Sequence, residues 1–330
     1  MQKGSLIKAV GLAACALLTA ACLGGCAKKA DNRVVIYSSC EDYRNAHYQA
    51  RLSEQFPAYD IVIEYMPTGN QAAKLLAEGV NTECDISLDL EYGYLEEIQD
   101  SLADLSDYDF SVFSADMVDG AHKWMPHYRS SGCIVLNTEV LAAKGLPTPA
   151  SYEDLLDPMY RGLISMPNPR SSGTGYMFLK SLVNAWGEEA AFAYFDKLSE
   201  NVLQFTSSGS GPVNALVAGE AAIGLGMTGN AVTKLNEGAP LAVTYFAEGA
   251  PCCFYGMAMI DGKQNEPAER AVFDYLYATL VAEDKALYFP EPIYSDRTFT
   301  IENYPADIPY ADMRDNTQAE KERLLAQWKY

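Results

Sequence analysis

The sequence predicts an α/β protein built from two lobes, each with its own hydrophobic core. Short apolar runs typical of strands alternate with segments of helical periodicity, the pattern of largely parallel sheets covered by helices. The 330 residues suffice for two such lobes even without the amino-terminal leader. Two extended segments, residues 124–128 and 133–137, are predicted to cross between the lobes. We therefore expect a Venus flytrap with two crossover strands.

The elements follow one another in a regular order that divides the chain. We expect residues 34–132 to form the first part of lobe 1, residues 133–246 to form lobe 2, and residues 247–330 to complete lobe 1 and add the carboxyl-terminal helices. The predicted strands are 34–37, 61–65, 85–89, 163–166, 202–206, 222–226, 241–246 and 255–260. The predicted helices are 43–56, 71–78, 92–99, 152–156, 176–186, 188–199, 213–218, 268–281 and 317–328.

The amino terminus predicts export and a lipid anchor. Lys3 and Lys8 precede a run of apolar and small residues that is too short to span a bilayer as a stable helix, so residues 1–25 are interpreted as a signal peptide. The run ends in LGGC, which looks like a bacterial lipobox with Cys26 as the lipidated residue. Residues 26–33 would then be a tether. The alternative is an ordinary signal peptide with a coincidental cysteine.

Charge and cysteine content exclude several classes of protein. The formal net charge of -20 argues against binding nucleic acid, whose phosphates the surface would repel. Beyond the leader and Cys26, the cysteines are Cys40, Cys84, Cys133, Cys252 and Cys253. This odd number leaves at least one thiol free or paired between molecules, and the spacing matches no zinc pattern. The adjacent pair is interpreted as two small loop residues, with a vicinal disulfide as the alternative.

Two turns rich in serine and glycine carry the sharpest functional signal. The run PNPRSSGTG at 167–175 lies between a predicted strand and a predicted helix, and TSSGSGP at 206–212 has the same setting. The first turn of a helix leaves backbone N–H groups unpaired and carries partial positive charge, so both turns are candidate anion sites. The alternative is a pair of plain capped helices. Similar hydroxyl-bearing turns follow the first two strands, at Ser38-Ser39 and at Thr68-Gly69-Asn70.

Nearly the whole chain after the leader resembles the iron(III)-type branch of ABC-transporter substrate-binding proteins. The resemblance rests on residues 167–175, 187–189, 205–219 and 255–258, and on the LNT and KGLP runs within 133–149. It implies a two-lobed periplasmic-binding-protein-like (type II) fold and a role as the capture subunit of an importer. A membrane permease is the implied partner, the protein is expected to be a monomer, and no cofactor is implied.

The departures from this branch bear on the ligand. Ferric-binding relatives carry adjacent tyrosines where this chain has Met227-Thr228-Gly229-Asn230, and a histidine in the loop that holds Cys40. We therefore expect no metal ligands, and we favour a phosphate- or phosphonate-bearing organic solute, held by the turn at 172–174. Iron with a carrier anion and a cationic solute such as a polyamine are the alternatives. The candidate ligand-binding residues are Ser38, Ser39, Thr68, Asp89, Glu91, Tyr128, Arg129, Ser171, Ser172, Gly173, Thr174, Gly175, Ser208, Ser210, Thr228 and Tyr255.

Individual candidates have competing interpretations. Asp89 and Glu91 would meet an amine or sugar hydroxyls at the far end of the ligand, or else lie in a solvated loop. Arg129 would pair with a phosphate as a bidentate donor, or only bridge the hinge. Tyr255 would stack on the ligand, or only pack.

Two other classes of protein are alternatives to a binding role: a dinucleotide-dependent enzyme and a structural or adhesive lipoprotein. The run GLGMTG at 224–229 matches the dinucleotide-binding pattern G-x-G-x-x-G after a strand, with Glu248 about twenty residues further on. An exported lipoprotein seldom meets NAD, so we expect no enzyme. A structural or adhesive lipoprotein would show repeats or low complexity, and the sequence has neither.

Overall fold

In a computed structural model, residues 32–330 are described. The signal peptide, Cys26 and most of the tether lie outside these residues. None of the described helices is long and apolar enough to cross a membrane. The strands are β1 (Arg33–Ser38), β2 (Asp60–Tyr65), β3 (Ile86–Glu91), β4 (Met125–Asn137), β5 (Ile164–Pro167), β6 (Val202–Thr206), β7 (Ile223–Met227), β8 (Leu241–Thr244) and β9 (Cys252–Met259).

The strands form two half-sheets that share one strand. In the first half-sheet the order is β2-β1-β3-β9-β4, and in the second β4 continues to β7-β5-β6, with β8 also paired to β4. The inner pairs β1–β2, β1–β3, β5–β6 and β5–β7 are parallel, whereas β4 and β9 pair antiparallel with their neighbours. Parallel neighbours place their carboxyl ends along one edge, so the turns after β1, β2 and β3 share one edge of the first half-sheet, and those after β5, β6 and β7 share one edge of the second.

Helices cover both half-sheets, as alternating α/β sequences require. They are α1 (Asp42–Gln55), α2 (Thr68–Glu78), α3 (Tyr92–Glu97), α4 (Thr138–Lys144), α5 (Gly173–Trp186), α6 (Glu188–Leu198), α7 (Gly211–Val217), α8 (Thr228–Asn236), α9 (Pro267–Tyr275), α10 (Val281–Leu287) and α11 (Gln318–Gln327). A π-helical turn, Leu276–Leu280, joins α9 to α10. The 3₁₀ turns are Gly79–Asn81, Gln99–Ser101, Phe110–Val112, Ala115–Met117, Asp154–Leu156, Pro158–Tyr160 and Lys263–Asn265.

Each lobe has its own core. The first contains Ile36, Leu88 and residues of α9 and the turn after it, such as Phe273. The second contains Ile164, Phe178 and residues from the far end of the chain. The carboxyl-terminal helix α11 contributes Leu324 to this second core, and Trp328 follows it there. The last helix therefore packs on lobe 2, although the segment before it, residues 267–294, completes lobe 1.

The predicted fold class is confirmed, but several local expectations are wrong. Cys252 and Cys253 are not loop residues: both are free thiols in strand β9. The two predicted crossing segments form one continuous strand, β4, in which Gly132 passes from one half-sheet to the other. A Cβ at Gly132 would lie 2.9 Å from Phe178 and Pro251, so this crossing leaves no room for a side chain. The run at 68–70 is the first turn of α2 and not a loop. Helices α4 and α8 were not predicted.

The dinucleotide pattern also has the wrong structural setting. Gly224 and Gly226 lie inside strand β7, not in a turn after it. A Cβ at Gly224 would lie 3.3 Å from Leu216 and Pro212, and one at Gly226 would lie 3.0 Å from Val213. These glycines therefore let helix α7 pack closely on the sheet. They do not form the phosphate-binding turn that the pattern requires.

Candidate ligand-binding site

The serine-rich turn after β5 opens helix α5 as predicted. Ser172 is the N-cap, and its Oγ accepts a hydrogen bond from the backbone N–H of Gly175 at 3.4 Å. A Cβ at Gly175 would lie 2.5 Å from the carbonyl oxygen of Pro167, so only glycine allows the strand end and the helix start to approach this closely. Ser171 is exposed, Gly173 is partly exposed and Thr174 is buried. The N–H groups of Gly173 and Thr174 are first-turn donors, which have no partner within the helix.

The matching turn in lobe 1 is the start of helix α2. Pro67 is its N-cap and offers no side-chain cap, so the first-turn donors have no side-chain acceptor from that residue. The hydroxyl oxygen of Thr68 is buried, and no described residue gives it a hydrogen-bond partner. A Cβ at Gly69 would lie 3.5 Å from the hydroxyl of Tyr94. This helix start therefore has unused donor capacity.

The two helix starts line one pocket of about 310 Å³ between the lobes. Each helix is longer than two turns, and both place partial positive charge at this space. The pocket is lined by Pro67, Thr68, Gly69, Asn70 and Tyr94 of lobe 1, by Pro169, Arg170, Ser171, Ser172 and Gly173 of lobe 2, and by Gln318, Lys321 and Leu325 of helix α11. The predicted residues Thr68, Ser171, Ser172 and Gly173 are thus brought together.

Helix α11 supplies the pocket with a cation that was not predicted from the sequence. Lys321 is 9% exposed, and its Nζ donates a hydrogen bond to Glu91 Oε2 at 3.1 Å. The same ammonium group lies 4.8 Å from the ring centroid of Tyr94 and 5.1 Å from that of Tyr176. Burial opposes the charged form of Lys321, but the attraction of the Glu91 carboxylate outweighs this effect and raises the pKa of the lysine.

A weak signal for Lys321 was present in the sequence. The lysine shares one face of α11 with Leu324 and Trp328, at the spacing of a buried helix face. A lysine at an apolar-face position needs a buried partner, but nothing in the sequence names that partner as Glu91. Arg170 lies within the predicted motif at 167–175 but is not among the candidate ligand-binding residues. Its guanidinium donates to the carbonyl oxygen of Trp328 and so holds the carboxyl-terminal segment beside the pocket.

The remaining predicted residues of lobe 1 serve a buried polar network. The Ser39 hydroxyl donates to the backbone oxygen of Asp89, and the Ser38 hydroxyl donates to Asn45 Oδ1 at 2.7 Å. The Asp89 carboxylate accepts from Arg44 Nη1 at 3.2 Å and lies 2.7 Å from Nδ1 of His127. These side chains are occupied by contacts within the lobe.

Three predicted residues lie near the crossing strands. Tyr128 is buried between Tyr255, at 5.4 Å between ring centroids, and Phe289, at 4.6 Å. Arg129 donates to Asp116 Oδ2 at 2.6 Å, so the structure pairs it at the crossing and not with a residue of the pocket. The Tyr255 hydroxyl is 3.7 Å from the position that a Cβ at Gly173 would take, which places Tyr255 beside the predicted anion turn.

The second serine-rich turn, at 206–212, packs against the first, at 167–175. The hydroxyls of Ser208 and Ser210 lie 3.2 Å apart, and helix α7 behind them has only seven residues. A side chain at Gly209 would collide with Thr174, so this turn packs directly against the start of α5. Thr228 is fully buried, and its Oγ1 lies 2.8 Å from Ser131 Oγ, away from the residues that line the pocket.

Cys40, Asp89 and His127 each place one potential metal-ligand atom within 4.8 Å of the others. Both ring nitrogens of His127 already have partners, Asp89 at 2.7 Å and the Tyr48 hydroxyl at 2.8 Å. Burial raises the pKa of the Cys40 thiol well above its usual value, which disfavours the thiolate that a metal requires. With Arg44 also bound to Asp89, the cluster has the properties of a hydrogen-bonded network and not of a cation site.

A larger pocket of about 440 Å³ lies under residues 290–310, between Phe299, Tyr304 and Tyr310. Its walls are mostly apolar, and neither helix start reaches it. The pocket between the lobes is the better candidate, because polar groups from both lobes converge there.

Two half-sheets, a shared crossing strand and a polar pocket between the lobes define the class of two-lobed solute-binding proteins. A family model described as bacterial extracellular solute-binding protein matches residues 86–305. The chain belongs to this family, and its resemblance to the iron(III)-type branch is confirmed.

Individual proteins show the same relationship. The chain is 31% identical over 143 residues to the phosphoglycerate transport regulatory protein PgtC of Salmonella typhimurium, a match that covers 43% of this chain and 36% of PgtC. It is 25% identical over 294 residues to a putative 2-aminoethylphosphonate-binding periplasmic protein of Salmonella typhi, covering 82% and 85% of the two chains. Among relatives above 30% identity, the chain spans little more than a third of the relative's length.

Solved structures confirm the fold. The periplasmic binding protein AfuA from Actinobacillus pleuropneumoniae, solved with fructose-6-phosphate, superposes with a TM-score of 0.76 at 23% identity, over 90% of this chain and 97% of AfuA. At this identity, the likeness concerns the fold.

Proposed function

We propose that this protein captures a small phosphate- or phosphonate-bearing organic solute outside the cytoplasm and delivers it to an ABC-importer permease. The two lobes would close around the solute, so that binding shifts an open–closed equilibrium. The protein acts by binding alone, without catalysis. Anchoring through Cys26 would keep it near the permease, since acyl chains gain about 0.8 kcal/mol per buried methylene.

One observation carries the proposal: two uncapped or partly capped helix starts, one from each lobe, open into the same pocket as a buried lysine. An anion there would meet backbone donors from both lobes and would be held only when the lobes are together. The similarity to a 2-aminoethylphosphonate-binding protein and to PgtC supports the same chemistry.

Calorimetric titration of the purified protein tests the proposal. Inorganic phosphate, fructose 6-phosphate, 3-phosphoglycerate and 2-aminoethylphosphonate are the probes, with putrescine and ferric citrate representing the alternative ligands. We expect at least one phosphorus-containing probe to bind and to raise Tm by mass action. Binding of ferric citrate or putrescine alone would contradict the proposal.

The double variant Ser172→Ala, Thr174→Ala locates the site. We expect binding of the phosphorus-containing probe to weaken by about 1–3 kcal/mol because two hydroxyl groups are removed beside the pocket. The matched control is Asn137→Ala, since Asn137 caps helix α4 in the same lobe and lies outside the pocket. Both variants lose a helix cap, and the control also loses the buried hydrogen bond from Asn137 Nδ2 to the carbonyl oxygen of Leu216, so loss of stability alone would weaken binding in both. Equal affinity in the double variant and the control would place the ligand elsewhere.

A further inference from the structure

Helix α11 is fixed to lobe 2 but reaches across to lobe 1. Leu324 and Trp328 lie in the lobe 2 core, and the Trp328 ring centroid is 5.2 Å from that of Phe195. Arg323 Nη2 lies 2.6 Å from Glu188 Oε2, which adds an ion pair to the same lobe. These contacts make α11 a part of lobe 2.

Helix α11 also contacts lobe 1, through one buried ion pair at the edge of the same face. Lys321 donates to Glu91 Oε2, and the side chains of the two residues are 11% and 8% exposed. Glu91 is the last residue of strand β3, so it belongs to lobe 1. Asn316 and Gln318 also approach lobe 1, since a Cβ at Gly93 would lie within 4.0 Å of their backbone atoms.

The Lys321 ammonium group has more N–H donors than the described residues accept. It carries three N–H donors, and the described residues accept one, at Glu91. Its other close neighbours are the rings of Tyr94 and Tyr176, which attract a cation but do not satisfy an N–H donor in the way an oxygen does. Lys321 also lines the pocket, and so does Thr68, whose buried hydroxyl has no partner among residues 32–330.

We propose that Lys321 is the ligand's counter-cation, and that Glu91 is its partner while the pocket is empty and holds the ammonium group in place. The inference rests on the proposed function and adds the residue whose positive charge attracts the anionic group of the ligand. An anion at the helix starts shares Lys321 with Glu91. Glu91 then repels the anion and limits its affinity, which allows the solute to be released to a permease.

The test measures the affinity for inorganic phosphate and for the tightest phosphorus-containing probe in three variants. Glu91→Gln keeps a hydrogen-bond acceptor for Lys321 but removes the repelling charge, so we expect binding to tighten about threefold or more. Lys321→Arg keeps the cation and should retain most of the affinity. Lys321→Met, Glu91→Gln removes both charges, avoids an unpaired buried carboxylate, and should weaken binding about tenfold or more.

A lysine from the same terminal segment provides the control. Lys329 pairs with Asp196 at 2.8 Å within lobe 2 and does not line the pocket, so Lys329→Met should bind phosphate like the wild type. A purely structural role for Lys321 would lower Tm in the double variant without tightening binding in Glu91→Gln.

The outcomes separate the two proposals. If the wild-type protein binds a phosphorus-containing probe and Glu91→Gln binds it no more tightly, or the double variant binds like the wild type, only the role of Lys321 and Glu91 is overturned. If the wild type binds none of the phosphorus-containing probes, the proposed function is overturned and this inference with it.

Discussion

Two groups of buried charges differ in how their partners are arranged. Inside lobe 1, Arg44 binds Asp284 at 2.8 Å and Asp89 at 3.2 Å, and all three residues belong to the same lobe. Between the lobes, Lys321 has one carboxylate partner, Glu91, which comes from the opposite lobe. Both groups are almost inaccessible to water, but Lys321 lines the pocket between the lobes, and none of Arg44, Asp89 and Asp284 does. Buried charge alone therefore does not identify a binding site. The proposed site differs from the lobe 1 group because its ion pair joins two lobes beside a pocket.

The pKa shifts are consistent with this contrast. Burial would raise the pKa of Asp284, but the Arg44 and Lys285 cations lower it below its ordinary value. Burial would likewise raise the pKa of Asp89, and Arg44 and His127 lower it. Asp89 and Asp284 are thus held ionised by their own neighbours and need no ligand to balance them.

The largest expected effect comes from breaking the group in lobe 1. Arg44→Met would leave Asp284 and Asp89 buried beside too little positive charge, and we expect the free energy of unfolding to fall by about 3–5 kcal/mol. Urea denaturation followed by circular dichroism measures this loss. The control is Arg161→Met, which removes an exposed ion pair with Glu200 and should leave stability unchanged. Equal stability in the two variants would mean that the lobe 1 group is not a structural unit.

A buried carboxylate satisfied only by hydroxyl groups gives an intermediate case. Glu291 accepts hydrogen bonds from Ser131 and Tyr304, both at 2.7 Å, and from Tyr310 at 2.9 Å. Burial raises its pKa above the ordinary value of 4.5. Because the folded pKa is raised, the stability from this group is full below the unfolded pKa and is lost as pH rises through the folded pKa.

Glu291→Gln removes that titration. We expect the wild type to lose stability relative to this variant as pH rises above about 4.5, by about 1.4 kcal/mol in total for each unit by which the pKa is raised. Unfolding in urea at several pH values measures the difference between the two proteins. Parallel stability curves across this range would show that Glu291 keeps the same charge in the folded and unfolded chain.

The smallest effect on stability should come from the helix start in lobe 1. Thr68→Val removes a buried hydroxyl that has no partner among the described residues, so we expect the unfolding free energy to change by less than about 0.5 kcal/mol. Binding of the phosphorus-containing probe should weaken by about 0.5–1.5 kcal/mol. Calorimetric titration and thermal melting of the same sample separate the two quantities. Unchanged affinity would confine the anion contacts to lobe 2.

The sequence predicted most of the strands and helices because their periodicity is local. The crossing strand β4 was predicted in two pieces since its middle is polar, at Arg129, Ser130 and Ser131. The structure buries these residues and satisfies their side chains with distant partners, such as Glu291 for Ser131. Helix α4 was missed although Asn137 caps it and Gly145 ends it in the left-handed conformation.

The candidate site was predictable only in part, for the same reason. Thr68 and the turn at 171–173 were found from local turn chemistry, and the structure places both at one pocket. Lys321 escaped prediction because it pairs with Glu91, 230 residues away along the chain. Contacts of this separation leave no local pattern.

The shared strand also limits how the molecule can be divided. Strand β4 supplies edges to β9, β7 and β8, so neither half-sheet is complete without it. A gene fragment encoding one lobe alone would expose unpaired backbone along that edge and would be prone to aggregate. A fluorescent reporter intended to sense the solute should therefore be inserted in an exposed turn, such as the one at Ser207 and Ser208, with the two halves left in one polypeptide.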